Sequence, residues 1–231
     1  MTAKTANAVD WHESIAQSFE AGYDRSPRFK ERLFIWRDLI GRYVTESDHV
    51  LDAGCGAGTF SFEVARRGAS VQAIDGSAAM VALARKRQQE LGLANITFDV
   101  AMLDSLSALP AGSFDVVLSS SVLEYLPDLD GEVGRLVRLL RPGGRLILSM
   151  PNRDSLYRKA ESFAFRLTGR PRYFAHVMSM TSEAELAAIF CNHGLQPMVR
   201  HFYGMPPGDF VLSRLGDVRS KTLIAMVGQL Q

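Results

Sequence analysis

Apolar and polar positions follow two rhythms along the chain, and the changes of rhythm mark its elements. From Asp10 to about Tyr23, the residues Trp11, Ile15, Phe19 and Tyr23 recur at helical spacing. YDRSP breaks that stripe, and Pro27 suits the first turn of a second helix, RFKERLFIWRDLIGRYV. Its Leu33, Trp36, Leu39, Ile40 and Tyr43 require a larger apolar partner. Short apolar runs then fall at about 49–53, 70–74, 96–101, 114–120 and 145–151 and read as strands. Helical patterns at 60–67, 78–91 and 130–140, and a short one near 121–126, separate them. Gly92 is placed to close the 78–91 helix, and RPGG after residue 140 predicts a sharp stop before the fifth strand. This alternation predicts a parallel sheet with right-handed crossovers.

After Pro151 the rhythm changes. Residues 152–180 are aromatic and basic and too long for a simple connection, so they read as an insertion. Thr181 or Ser182 caps a helix over SEAELAAIFCNHG, with Gly194 past its end. LQPMVRHFYGM and KTLIAMVGQL predict two last strands in an antiparallel hairpin around a long loop. The expected organisation is a frayed tail at 1–9 within a helical cap over 1–45, followed by a sheet domain over 46–231. Within that domain, residues 152–180 form a substrate-side insertion.

Composition narrows the class. At 231 residues, 47% apolar and 22% charged, the chain suits one soluble α/β domain. A net charge of +1 gives no general attraction for nucleic acid, so none is expected as a partner. Cys55 and Cys191 show neither metal-ligand spacing nor a disulfide framework. No apolar run approaches the roughly 18 residues of a membrane span, and the N-terminal stretch lacks the apolar core of a secretory signal. These readings point to a cytoplasmic enzyme without a metal; oligomeric state stays open.

The candidate chemistry centres on VLDAGCGAGTF at 50–60. Val50 and Leu51 end a buried strand, Asp52 closes it, and Gly54, Gly56 and Gly58 turn the chain into a helix near Thr59. Such a turn lets a ligand approach the main chain, and the first helical amides lack intrahelical partners. A second acid, Asp75, ends the next strand about 20 residues on, the position of a ribose-binding carboxylate. Its alternative role is to cap the helix that follows Ser77. The spacing is G-x-G-x-G, not the G-x-G-x-x-G of nicotinamide dehydrogenases, which argues against pyrophosphate chemistry.

VLDAGCGAGTF, AIDGS, FDVVLSSSVLEYLPD and LLRPGGRLILSMPN, in this order and at these distances, resemble the class I S-adenosylmethionine-dependent methyltransferases. The likeness is to the small-molecule branch with the ubiquinone O-methyltransferases and magnesium-protoporphyrin methyltransferases. It covers residues 45–150 well and, through element order, reaches the C-terminus. It implies a Rossmann-like doubly wound α/β sheet of seven strands with strand 7 antiparallel, S-adenosyl-L-methionine as methyl donor, and a small-molecule acceptor. It places Asp52 and the amides of Gly54, Cys55 and Gly56 near the methionine portion, and Asp75 on both ribose hydroxyls. Gly76, Ser77 and Met80 would flank ribose and adenine, although Met80 also suits a core position. Ser119 falls at the cofactor edge of strand 4.

Two departures bear on the site. Where relatives carry an acid-plus-small pair after strand 3, this chain has Met102 and Leu103, with Asp104 next. Either Asp104 meets the adenine amino group, or the Leu103 amide reads the ring while Met102 packs on it. Tyr125 replaces the histidine of the family's L-E-H segment and leaves Glu124 and Tyr125 on the substrate side; Glu124 also suits a structural role bonded to nearby backbone amides. Methyl transfer needs an in-line nucleophile and, where a proton must leave, a base. His176 in the insertion, with Tyr173 near it, is the expected base or substrate-positioning residue. Tyr23, in a segment similar to a family FxxxYD, is placed over the cofactor carboxylate and is the second catalytic candidate. Cys55 reads as a small turn residue, His193 as a helix cap, and His12 and His49 as surface residues. The basic and aromatic residues at 157–174 either embrace substrate or form a solvated amphipathic helix. The competing functions are a nucleic-acid or protein methyltransferase and a catalytically silent cofactor-binding scaffold.

Overall fold

Adjacent residues of the apolar runs point to opposite faces, and both faces are covered. Val50, Val116 and Ile147 join one buried cluster, and their neighbours Leu51, Val117 and Leu148 join another. The computed structural model describes residues 8–16, 26–204 and 213–231. Five strands pair in parallel: β1 (His49–Ala53), β2 (Ser70–Asp75), β3 (Ile96–Val100), β4 (Phe114–Ser120) and β5 (Leu140–Pro151). β6 (Leu195–Tyr203) and β7 (Leu223–Leu230) form the antiparallel hairpin, and β7 runs antiparallel to β5. The sheet order is β3-β2-β1-β4-β5-β7-β6. The order reverses between β1 and β4, where open α/β sheets leave a crevice beyond their carboxyl ends.

Residues 8–16 form a helix, α1; Phe19 and Tyr23 lie outside the described residues. α2 (Pro27–Tyr43) buries Trp36, Leu39 and Ile40 in the cluster that holds β1, β4 and β5. Trp36 stacks on Phe60 at 4.6 Å, and its Nε1 donates to the Tyr203 hydroxyl at 3.2 Å. The N-terminal segment therefore divides. α2 is built into the core of the sheet and reaches the site edge through Arg32, and α1 lies over that edge.

α3 (Thr59–Ala65) and α4 (Ala78–Leu91) pack on the α2 side, and α5 (Leu129–Arg138) and α7 (Glu183–Asn192) cover the other face. α4 ends at Gly92 with φ 64°, the expected left-handed cap. α7 opens with a full capping box between Ser182 and Glu185. The expected stop at RPGG is corrected. α5 ends at Arg138, and Arg141-Pro142-Gly143-Gly144 lie inside β5. There the pairing passes from Phe114↔Leu140 to Val116↔Arg145, so the four residues bulge from the strand, and Arg141 reaches Asp115 at 2.8 Å. The early start follows from Leu139 and Leu140, which are buried beside Phe114.

The insertion holds α6 (Leu156–Thr168), which has no buried residue, and a single turn at Arg172–Ala175. Its end returns to the sheet edge, where the Met178 and Ser179 amides donate to the Glu124 carbonyl at 2.7 and 3.1 Å. A last short helix, α8 (Asp217–Ser220), precedes β7. Among the described residues, no helix is long and apolar enough to cross a membrane.

Candidate active site

The β1 turn, the end of β2 and the end of β4 enclose a cavity of about 170 Å³, roofed by α1. Gly54 has φ 84°, and a Cβ added there would stand 2.3 Å from a methyl of Val122 in the segment after β4. A side chain at 54 would therefore push apart the two strand ends that form the crevice. Gly56 turns its amide to the Asp75 carboxylate, Oδ2 accepting at 2.8 Å, while Oδ1 accepts from the Ser77 amide at 2.8 Å. Ser77 itself caps α4 by accepting from the Met80 amide. Burial raises the Asp75 pKa against the pull of those two amides.

Asp52 lies beneath the turn, 2% exposed, and accepts from the Ser61 hydroxyl at 2.5 Å. Burial pushes its pKa up to about 6, opposed by the Ser61 bond, with the charge of Asp75 adding to the rise. Ser119 is fully buried and donates to the Ala53 carbonyl at 3.1 Å. Both residues brace the site from below without lining it. Burial, then the negative charges of Asp52 and Asp75, raise the Cys55 thiol well above its ordinary pKa, which keeps it protonated and unsuited to act as a nucleophile.

Gly54, Cys55, Gly56, Asp75, Gly76 and Met80 all reach the cavity wall. Met102, Leu103 and Tyr125 join them, while Asp104 is exposed at the start of a 3₁₀ turn outside the cavity. Glu124 is 5% exposed and lies behind Tyr125 in sequence and off the wall. Burial raises its pKa to about 7, opposed by the charge of Arg32, and its Oε2 makes no hydrogen bond. A backbone amide, that of Glu124 itself, supports the carboxyl group, as the structural role expected of this residue requires, and the Glu124 carbonyl holds the insertion. Tyr173 donates to Glu161 at 2.6 Å and receives a bond from Arg158, so its hydroxyl is committed within the insertion. His176 stacks on Trp11 at 5.6 Å and does not line the cavity. His193 does stand at the end of α7, its ring against Gly134 and 3.3 Å from Asp130.

Several lining residues escaped the sequence reading. Arg32 of α2 donates to the Ser120 carbonyl and hydroxyl at 2.9 and 2.7 Å and lies over the Phe60 ring. Its signal was a basic residue one helical turn before buried Trp36, on the apolar stripe itself. Ser121 follows β4 with φ 56°, an unusual backbone for serine, and turns the chain along the cavity. His12 is corrected from a surface residue to a wall residue: α1 buries one side on Met80 and Ala57 through Ala16 and turns His12 inward. Glu13 of α1 accepts from the Ser77 hydroxyl and from the Ala79 amide at 3.0 Å, which fastens α1 to the N-terminus of α4.

Residues 45–193 match the family model of the methyltransferase domain. The chain belongs to this methyltransferase family. Among curated relatives, the ubiquinone biosynthesis O-methyltransferase of Xanthomonas axonopodis pv. citri strain 306 is 38% identical over 154 residues, 64% of this chain and 62% of that protein. The chain thus spans less than two thirds of the length of that relative. Among solved structures, the magnesium protoporphyrin IX methyltransferase of Synechocystis PCC 6803 with bound S-adenosylhomocysteine aligns over 99% of this chain and all of that one. Its TM-score is 0.74 at 19% identity. A Thermotoga maritima protein described as a possible histamine N-methyltransferase aligns with TM-score 0.70 at 16% identity over 97% of this chain and 100% of its own. At these identities the likeness shows the fold: the seven-stranded methyltransferase sheet with strand 7 antiparallel. Among the described residues, no group of three His, Cys, Asp or Glu side chains is placed to hold a metal ion.

Proposed function

We propose that this methyltransferase moves a methyl group from S-adenosyl-L-methionine to a small-molecule acceptor in the cytoplasm. The observation that carries the reading is the pair of charges flanking the glycine turn. Asp75 stands on its β2 side and Arg32 on its β4 side, both on the wall of one cavity. The donor's two ends fit this polarity: a ribose diol suits the Asp75 carboxylate, and a methionine carboxylate suits the Arg32 guanidinium. Each Asp75 oxygen keeps a lone pair beyond its amide bond, so ribose hydroxyls can be accepted without loss of the turn. Met80, Met102 and Leu103 supply an apolar slot for adenine, and the Leu103 amide is our choice for its edge. When bound, the donor supplies an electrophilic sulfonium methyl whose leaving group departs neutral.

The protein's part is to hold the acceptor in line and keep water out. Tyr125, Leu126 and α1 form the acceptor side, and Tyr23 is kept as a candidate donor contact. Glu124, Tyr173 and His176 support this wall from behind it. Calorimetric titration with S-adenosylhomocysteine is expected to give one-to-one binding. No binding by the wild-type protein would remove the reading.

A further inference from the structure

We propose that His12 takes the proton from an acceptor O–H or N–H as the methyl group is transferred, which makes protic oxygen or nitrogen nucleophiles the acceptor class of this enzyme. The inference rests on the methyl-transfer reading above and deepens it on the acceptor side.

The geometry narrows the choice by chemistry. The titratable side chains on the described wall are His12, Arg32, Cys55, Asp75 and Tyr125. Arg32 is a fixed cation. The Asp75 oxygens hold the Gly56 and Ser77 amides. Burial raises both the Cys55 thiol and the Tyr125 phenol, so each stays protonated and has no basic lone pair to offer. His176 stacks on Trp11 and lies off the wall. The imidazole of His12 is left as the proton acceptor.

Its ring is held on two sides. The Tyr125 ring meets it edge-on at 5.2 Å and 76°, and the Trp11 ring does so at 4.8 Å and 71°. Those contacts fix the plane of a group that must meet a nucleophile in line, and they bring α1 to the segment after β4. Charged and titratable groups reach His12 from α2 (Arg32), from the insertion (His176) and from the segment after β4 (Tyr125). Burial, then the charges of His176 and Arg32, lower its pKa to about 4, so the ring enters the reaction neutral.

A base this weak does not ionise the acceptor beforehand, and the reaction does not require it to. The acceptor's lone pair forms the bond to the methyl carbon while the carbon–sulfur bond breaks, its electron pair staying on sulfur. As the new bond forms, the acceptor atom becomes a strong acid when it is oxygen, and an acid comparable to the His12 imidazolium when it is a weakly basic nitrogen such as that of an arylamine. Its proton passes to the His12 nitrogen and from there to water when product leaves. Neutral His12 is thus matched to a neutral acceptor.

The test uses the full-length protein saturated with S-adenosylhomocysteine and labelled with ¹⁵N-histidine. Phenol and aniline serve as O–H and N–H probes at millimolar concentration. At least one is expected to shift a His12 ring nitrogen, with the other four histidines, His49, His176, His193 and His201, moved less. His12→Phe, which keeps a flat ring and loses both nitrogens, should weaken that probe at least tenfold while S-adenosylhomocysteine affinity stays within about twofold. His12→Gln, a second variant should the first fold poorly, should do the same. If neither probe moves His12, or the probe binds both variants as tightly as wild type, the assignment is overturned. Failure of S-adenosylhomocysteine to bind the wild-type protein would instead overturn the methyl-transfer reading beneath it.

Discussion

Asp75→Ala is expected to weaken S-adenosylhomocysteine binding by about 100-fold or more and to lower the stability of the ligand-free protein as well. Hydrogen bonds to a charged group contribute about 1.5–3 kcal/mol each, and about 1.4 kcal/mol is a factor of ten in affinity. Losing two ribose bonds therefore exceeds two orders of magnitude. The stability effect comes from the other lone pairs. The carboxylate accepts from Gly56 and Ser77, so its removal strands two amides, one in the glycine turn and one at the start of α4. Asp75→Asn should lie between, since the side-chain amide keeps one acceptor oxygen and turns a donor toward the second backbone amide. Calorimetry and urea denaturation read the two effects separately. Wild-type affinity in Asp75→Ala would remove the ribose role.

Gly54→Ala should be more damaging than its single added carbon suggests. The backbone there has φ 84°, and the new Cβ would meet Val122 atoms at 2.3, 2.8 and 3.1 Å. A left-handed backbone costs a non-glycine residue about 1–2 kcal/mol, and overpacking adds about 1–3 kcal/mol. The expected loss is about 2–5 kcal/mol in urea unfolding. S-adenosylhomocysteine binding should fall at least tenfold, because the β1 and β4 ends must part. Gly92→Ala separates the two contributions. It has φ 64° and open space around its Cβ position, so it should show the backbone part alone and leave binding unchanged. Equal losses at the two glycines would mean that the Val122 contact relaxes freely.

The sheet was legible in the sequence because strands buried on both faces read as continuous apolar runs, and glycines marked the turns between them. RPGG misled because Pro and Gly signal a break in backbone pairing, and a bulge inside β5 uses the same residues as a helix stop. The β1–β2 side of the cavity was legible for a related reason. It is made by main chain, glycines and one acid at the end of a strand, all local in sequence. The wall contributed by the N-terminal helices was not. His12 and Arg32 come from helices that precede the sheet, and their meeting with Tyr125 and Ser120 depends on how α1 and α2 cross the strand ends. Helical periodicity tells which face is apolar. It does not tell that a polar residue on or beside that face will point into a cavity instead of into solvent.

Methyl transfer to a small molecule is open to direct measurement. The purified protein is incubated with S-adenosylmethionine labelled in its methyl group and a deproteinised, nucleic-acid-free extract of metabolites, and the labelled products are separated by size and polarity. Label is expected in one or a few small molecules at an oxygen or nitrogen atom, lost in Asp75→Ala and strongly reduced in His12→Phe. No labelled metabolite from a protein that binds S-adenosylhomocysteine, or label appearing only when protein or RNA is restored to the mixture, would contradict it.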